Sequence, residues 1–344
     1  MSNPLLSISV AAYNVEDYLE NTLNSFILDE SIMGRFEVII VNDGSKDRTV
    51  EIAKLFVEKY PNTFILVDKE NGGYGSTINA SLPLARGKYF RLLDGDDWIN
   101  KEGFVDYLIK LETIDSDLVL TKYCEVNEQT NKKRVVKDTI PYSFQEKNIK
   151  DLKLSINLAM HQMTYKTELL RINKISITEK CYYTDFEFIV KPFPFVNTVT
   201  CVDAVVYMYR IGREGQSVQI SSWHKNIHQG IKVTLNLSEY YEKVKLLPYA
   251  QNLEFVKSMI ISSIQSKYRV VLTMPRERKP KKIIKNFDKR LKSISEDLYY
   301  EAVKQNSKRY RLGINLLRKT NFLLFGIESV IFKRRLKSAE RLNV

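Results

Sequence analysis

The run Asp94-Gly95-Asp96-Asp97 puts three carboxylates within four residues, directly after the apolar pair Leu92-Leu93. Carboxylates in a loop after a buried strand are hard oxygen donors. They suit Mg2+ or Mn2+ held against a diphosphate, where the cation acts as Lewis acid and template. Gly95 lets the turn tighten, so that Asp94 and Asp96 can face one pocket. Asp97 or Asn100 can instead start the helix that the pattern predicts over Lys101 to Leu111. A second acidic turn, Asn42-Asp43-Gly44-Ser45, follows the β-rich stretch Phe36 to Val41. A third loop, Glu70-Asn71-Gly72-Gly73-Tyr74-Gly75, carries glycines that permit positive φ and close approach of backbone to a ligand.

The elements that must position these turns alternate along the first hundred residues. Strands are predicted at Leu6 to Ala12, Phe36 to Val41, Thr63 to Val67 and Lys88 to Leu93. Between them, Val15 to Ile27 gathers Val15, Leu19, Leu23, Phe26 and Ile27 on one helical face. Ser45 can cap a helix bearing Val50, Ala53, Leu55, Phe56 and Val57, and Ser76 to Ala85 forms a third helix. Right-handed crossovers line up the carboxyl ends of such strands on one edge of a sheet, where ligands bind. Tyr13-Asn14, Asp43, Asn71 and Asp94 to Asp97 all follow strand ends and converge there. Further on, Leu118 to Tyr123 and Arg134 to Val136 read as strands, and Lys147 to Leu158, Thr167 to Ile172 and Tyr183 to Val190 as helices. Thr198 to Tyr209 is β-rich, and after Trp223 the chain reads as helical, broken at Pro248, Pro275 and Pro280.

Four blocks in order and spacing carry a resemblance. They are Ile8-Ser9-Val10-Ala11-Ala12-Tyr13-Asn14, then Val38 to Asp47 with its Asp-Gly-Ser turn, then Asn71-Gly72-Gly73 to Asn79 with Ala85-Arg86-Gly87-Lys88-Tyr89, and finally Asp94-Gly95-Asp96-Asp97. Together they resemble the family 2 glycosyltransferases of GT-A fold, inverting enzymes of the bacterial cell-surface polysaccharide and teichoic-acid type. The resemblance, carried by about the first hundred residues, implies an α/β, Rossmann-like, mostly parallel sheet flanked by helices over residues 1–224, and the charge and pattern of the chain read as a basic α-helical region over 225–344. It implies a nucleotide-sugar donor, with UDP favoured, Mn2+ or Mg2+ as cofactor, and a glycan or lipid-linked acceptor hydroxyl. By position, Ala12, Tyr13 and Asp43 would hold the nucleoside, and Asn71 and Gly72 would border it. Asp94 would stand near ribose and metal, and Asp96 would bind the metal directly.

Inversion also needs a base for the acceptor hydroxyl. The family places it at a helix start, often as Glu-Asp; here Tyr182-Tyr183-Thr184-Asp185-Phe186-Glu187 departs from that pair, with Thr184 where the Glu would be. Asp185 is the choice and Glu187 the runner-up, the alternative being a capping Thr184 with Asp185 favoured by the helix dipole. The stretch Tyr207 to Ser217 looks like the loop that covers the donor. There Arg213, ahead of Arg210, would pair with the diphosphate, or else with Glu214 on a surface loop. His224 falls where some relatives supply a late metal ligand, and equally reads as a helix-end histidine.

Composition adds bounds. From Lys225 onward the chain holds 27 basic and 10 acidic side chains, a net of +17, while the residues before it carry −5. Basic clusters such as Arg276-Glu277-Arg278-Lys279, Lys281-Lys282 and Lys333-Arg334 flank apolar helical stretches. This suits peripheral contact with an anionic membrane, or else packing against the catalytic domain or a second copy of the chain. Nucleic-acid binding by this tail is the weaker alternative, because its cations are spread over several helices without a recognition motif. A non-catalytic nucleotide-sugar-binding scaffold is another. Cys124, Cys181 and Cys201 show no paired spacing, and the first residues carry no leader pattern. A cytoplasmic location is therefore expected, and the membrane reading of the basic tail would place the chain at the inner face of the cell membrane.

Overall fold

The computed structural model describes residues 3–152, 158–213, 220–304 and 308–342. The chain divides into two compact units, Met1–Glu214 and Gly215–Val344. The change in charge at residue 225 falls at the end of a helix of the second unit, Ile220–Lys225.

In the first unit the strands are β1 (Leu6–Ala12), β2 (Phe36–Asp43), β3 (Phe64–Lys69), β4 (Tyr89–Asp94), β5 (Trp98–Ile99), β6 (Leu118–Asn127), β7 (Lys133–Val135), β8 (Glu146–Asn148), β9 (Met163–Lys166) and β10 (Thr198–Ile211). Its helices are α1 (Glu16–Asn24), α2 (Glu30–Met33), α3 (Thr49–Lys59), α4 (Tyr74–Ser81), α5 (Lys101–Leu111), α6 (Thr167–Ile172) and α7 (Asp185–Val190). The strands form one sheet in the order β3-β2-β1-β4-β9-β6-β10-β5, with β7 beside β6 and β8 beside β10.

From β3 to β4 the sheet is parallel, in register Val10 to Ile40 and Val10 to Leu93. β2 is buried at each of its residues, as a parallel strand covered on both faces must be. The order reverses between β1 and β4, which opens a crevice at the carboxyl ends of those two strands. Beyond β4 the sheet is mixed rather than mostly parallel: β9 runs antiparallel to both β4 and β6, while β6 and β10 are parallel. The reason is chain economy, because a parallel return needs a long and usually helical crossover. Among the described residues between β6 and β9 there is no α-helix, only β7, β8 and two 3-10 turns. The helix expected over Lys147 to Leu158 is thus β8 and a 3-10 turn at Ile149–Asp151, with residues 153–157 outside the described ones.

The apolar periodicity has its expected use. Leu19 and Leu23 of α1 and Phe104, Tyr107, Leu108 and Leu111 of α5 are buried in one core with β1 and β2. Phe26, Phe36 and Phe104 meet at ring separations of 5.2 to 5.9 Å, and burying each such ring stabilises by about 1.5–3 kcal/mol. Polar residues inside are matched. Ser7 Oγ donates to Glu37 Oε1 at 2.6 Å, and Arg86, from the Ala-Arg-Gly-Lys block, donates through Nε to Glu37 Oε2 at 2.7 Å.

The second unit contains α8 (Ile220–Lys225), α9 (Ile227–Val244), α10 (Leu253–Thr273), α11 (Pro280–Ile294), α12 (Glu296–Lys304), α13 (Lys308–Lys319) and α14 (Phe325–Leu342). Pro280 starts α11 rather than breaking a helix, since its missing N–H costs nothing at the first position. A buried node ties four of these helices. Arg318 Nε donates to Asp288 Oδ1 at 2.8 Å and Nη2 to the Tyr268 hydroxyl at 2.8 Å, and its guanidinium stacks 3.5 Å from the Tyr299 ring centre. Among the described residues no helix is long and apolar enough to cross a membrane.

Candidate active site

Asp43 closes β2, and its carboxylate is spent on the neighbouring loop. Oδ1 accepts from Gly72 N at 2.8 Å and Lys69 Nζ at 2.8 Å, and Oδ2 accepts from Gly73 N at 2.8 Å. Asn71 Nδ2 donates to the Asp43 carbonyl at 2.8 Å. Gly44 has φ of +72°, and a Cβ there would lie 2.8 Å from Asn71 N, so the two loops can touch only through a glycine. The β1 loop is fastened to the same place: Asn14 N donates to Ser45 Oγ at 3.0 Å, and Lys46 N to Asn14 Oδ1 at 2.8 Å. Ser45 therefore serves the loop and does not cap α3, which begins at Thr49 with its N–H on Asp47 Oδ1. Ala12 is buried at the end of β1, and Tyr13 is half exposed. Ala12, Tyr13, Asp43, Asn71 and Gly72 thus lie in one joined set of loops.

At the end of β4 the three aspartates differ. Asp97 is buried, with Oδ2 accepting from the Tyr207 hydroxyl at 2.7 Å and Oδ1 from Arg210 N at 2.7 Å. It does not cap α5, because Asn100 does, through Gly103 N. Asp96 pairs through Oδ2 with Arg213 Nη2 at 2.8 Å. Asp94 has a buried Oδ1 with no hydrogen-bond partner. Burial, aided by the neighbouring charge of Asp96, pushes its carboxyl up to about 7. Gly95 makes this approach possible: its N–H donates to Ala11 O at 2.9 Å, and a Cβ would lie 2.7 Å from that oxygen.

Arg210 and Arg213 are placed differently. Arg210 sits 4.8 Å from the ring centres of both Tyr18 and Trp98 and donates through Nε to Asp96 O at 2.8 Å, so it braces the acidic loop. Arg213 rests 5.0 Å from the Tyr18 ring with its guanidinium on Asp96. The structure thus brings together two residues expected to serve metal and diphosphate. The remainder of the expected covering loop, Glu214 to Ser217, lies outside the described residues.

Asp185 opens α7 two residues after Tyr183, whose φ is +67°, and it is half-buried. Its charge and that of Asp94 both act on the buried Tyr74 hydroxyl, which burial and these two charges push well above its ordinary value. Thr184 does not cap α7, since its buried Oγ1 has no partner. Glu187 faces the other way. Buried, it accepts from Thr178 N at 2.7 Å and Thr178 Oγ1 at 2.8 Å, and pairs with Lys191 at 2.9 Å. Of the two acids of α7, Glu187 is a structural anchor.

Three residues escaped the sequence reading. Tyr207 donates to Asp97 and accepts from Asp94 N at 3.1 Å, and Tyr74 borders Asp94. The alternation Tyr207-Met208-Tyr209 was the available signal, because period two puts both tyrosines on one face. His161 had no local signal. It stacks 4.4 Å from Tyr209 and lies tilted against Tyr207 at 4.5 Å, and its buried Nδ1 has no hydrogen-bond partner. Burial, with the charge of Arg91, pushes it down to about 3, so the ring is neutral. Asp94, Asp97 and His161 each bring one ligand atom to a place where all lie within 4.8 Å of one another. His224, the histidine expected near the metal, belongs to the helical unit, where Nε2 shares a hydrogen bond with Thr273 Oγ1 at 2.9 Å.

Buried acids at the switch point of an α/β sheet, flanked by glycine-bearing loops, form a crevice suited to a ligand. Residues 7–171 match the model of glycosyl transferase family 2. EpsH of Bacillus subtilis (strain 168) is 30% identical over 217 residues, covering 61% of this chain and 62% of that one. The poly(ribitol-phosphate) beta-N-acetylglucosaminyltransferase TarS of Staphylococcus aureus (strain Mu50 / ATCC 700699) is 30% identical over 215 residues, covering 61% and 36%. The crystal structure of S. aureus TarS 1-349 in complex with UDP-GlcNAc shares the fold at a TM-score of 0.68 and 21% identity, over 98% of this chain and 92% of that one. The match to glycosyl transferase family 2 takes in just under half of the chain, and the chain's match spans less than two thirds of the length of either relative.

Proposed function

We propose that the chain transfers a sugar, with inversion, from a UDP-sugar to a hydroxyl of a wall-type polymer or lipid-linked glycan. The observation that carries the reading is the buried, partnerless Oδ1 of Asp94 beside Asp96, within the electrostatic reach of Asp185. An orphaned acceptor of this kind is costly unless a ligand satisfies it. Hard carboxylate oxygens with spare capacity fit a divalent cation, so Asp94 and Asp96 would hold Mn2+ or Mg2+. Bound there, the cation would neutralise the leaving diphosphate.

The chain's own residues account for the rest. The β1 and β2 loops, with Tyr13 exposed at their edge, form the nucleoside side. In this reading Asp43 shapes that side by holding Gly72 and Gly73 rather than by meeting the base. Arg213 releases Asp96 and takes the diphosphate, exchanging one anion for another. Asp185 accepts the proton of the acceptor hydroxyl as that oxygen bonds to the anomeric carbon, and the bond to the diphosphate oxygen breaks on the opposite face. The UDP preference draws support from TarS, solved with UDP-GlcNAc, and the polymer acceptor from the poly(ribitol-phosphate) of its name.

A thermal-shift panel of nucleotide sugars with and without Mn2+, followed by UDP-release assays, tests the reading. Stabilisation by UDP-sugars only with metal is expected. Equal stabilisation without metal, or by purine donors alone, would sink it.

A further inference from the structure

The helical unit carries a second site, remote in chemistry from the first. A cavity of about 650 Å3 is bounded by Arg276, Lys279, Lys281, Lys282, Lys285 and Lys333 over an apolar lining that includes Met274, Leu323, Phe325 and Val330. Some cations of this unit are ion-paired, as Lys245 is with Glu242, Lys257 with Asp297 and Arg318 with Asp288. Among the described residues none of the six around the cavity has an ion-pair partner, and Lys333 has only the Met274 carbonyl, at 3.1 Å. Lys281 and Lys282 stand in the first turn of α11, which has no acidic residue. The dipole opposes positive charge there, so an anion would relieve both the crowding of cations and the helix end.

The lip of the cavity is apolar and open to solvent. Of the lining, Leu323 is 74% exposed and Val330 41%, and Ile327, next in sequence to the lining residue Gly326, is 59% exposed. A soluble polyanion has no use for such a lip, whereas a bilayer has one: apolar side chains enter the acyl boundary while lysines meet phosphates. We infer that this cavity is a lipid-headgroup site that seats the helical unit on an anionic membrane surface, with Leu323 and Ile327 inserted beside the bound phosphate. The sequence favours membrane contact for these helices, with packing against protein as the alternative. The joint placement of unpaired cations and an exposed apolar lip selects lipid.

The full chain would be sedimented with vesicles of phosphatidylcholine alone and with phosphatidylglycerol added, and in parallel passed over an immobilised poly(glycerol phosphate). Binding is expected only to the anionic vesicles, and to fall as salt is raised. Lys282→Glu/Lys285→Glu should weaken it by at least roughly fivefold per lysine replaced, while the charge-matched Lys232→Glu/Lys243→Glu on α9 changes it little. Leu323→Ser/Ile327→Ser should release the protein from vesicles without altering its melting temperature. The inference is overturned if both charge pairs weaken binding equally, because the attraction is then diffuse. It is also overturned if the apolar substitutions have no effect, or if the polymer retains the chain as well as vesicles do, because the occupant is then a soluble phosphodiester. Since all four exposed positions lie outside the donor site, Mn2+-dependent UDP binding should be unchanged throughout, which separates this result from the fate of the catalytic reading.

Discussion

The ends of β2 and β4 present the same residue type to the same sheet edge and use it in opposite ways. Asp43 has both carboxylate oxygens filled by Gly72, Gly73 and Lys69, whereas Asp94 keeps a buried oxygen with no partner. The first builds a wall and the second holds capacity in reserve. α7 adds a second filled carboxylate, Glu187, bound to Thr178 and Lys191, two residues after Asp185 at the half-buried helix start. A carboxylate's role in this protein is therefore read from how many of its lone pairs the fold has already taken.

The strongest way to break that distinction is at α7. Asp185→Asn should lower turnover by roughly 10²–10⁴-fold with UDP binding kept, measured by UDP release at saturating donor. Glu187→Gln should instead lower the melting temperature while leaving most turnover per folded molecule. Equal turnover losses would erase the contrast.

At the sheet edge, Asp43→Ala should destabilise the chain by about 1–3 kcal/mol, since it strips two backbone N–H groups and Lys69 of their acceptor. Asp94→Asn should leave stability unchanged or raise it, because burial disfavours the charged carboxylate, yet it should abolish the effect of Mn2+ on UDP binding. Denaturant titration with and without Mn2+ separates the two. A smaller effect is expected at the rim. Asp96→Ala should weaken Mn2+-dependent UDP binding about tenfold, or ~1.4 kcal/mol, by calorimetry.

The gentlest test uses pH. Because Asp94 is pushed up to about 7 from an ordinary 3.8, the metal-free fold binds its proton more tightly than the unfolded chain does. Its contribution to stability is therefore full below about pH 4 and is lost as pH rises through about 7. A cation needs the ionised form, so Mn2+ should raise the melting temperature more at pH 8 than at pH 6. The Asp94→Asn variant should lose that difference.

Much of the first unit was legible because its signals are local. β2 as a continuous apolar run, α5 over Lys101–Leu111 and the glycine turns each depend on neighbours in sequence. What failed depended on distant partners. Ser45 looked like a helix cap until Asn14 claimed it, and Lys147 to Leu158 looked helical where β10 instead recruits Glu146–Asn148 as a strand.

By itself the sequence determined which residues reach the carboxyl edge of the sheet, because strand periodicity and crossover handedness are enough to order them. It also determined that the last third of the chain is basic and helical. Only the tertiary structure decided how the acids divide their work. Tyr207 and Arg210 reach Asp97 from β10, Arg213 reaches Asp96, and His161, whose Nδ1 has no hydrogen-bond partner, joins Asp94 from the segment before β9. A carboxylate's spare lone pairs are set by groups a hundred residues away, and no local pattern records them.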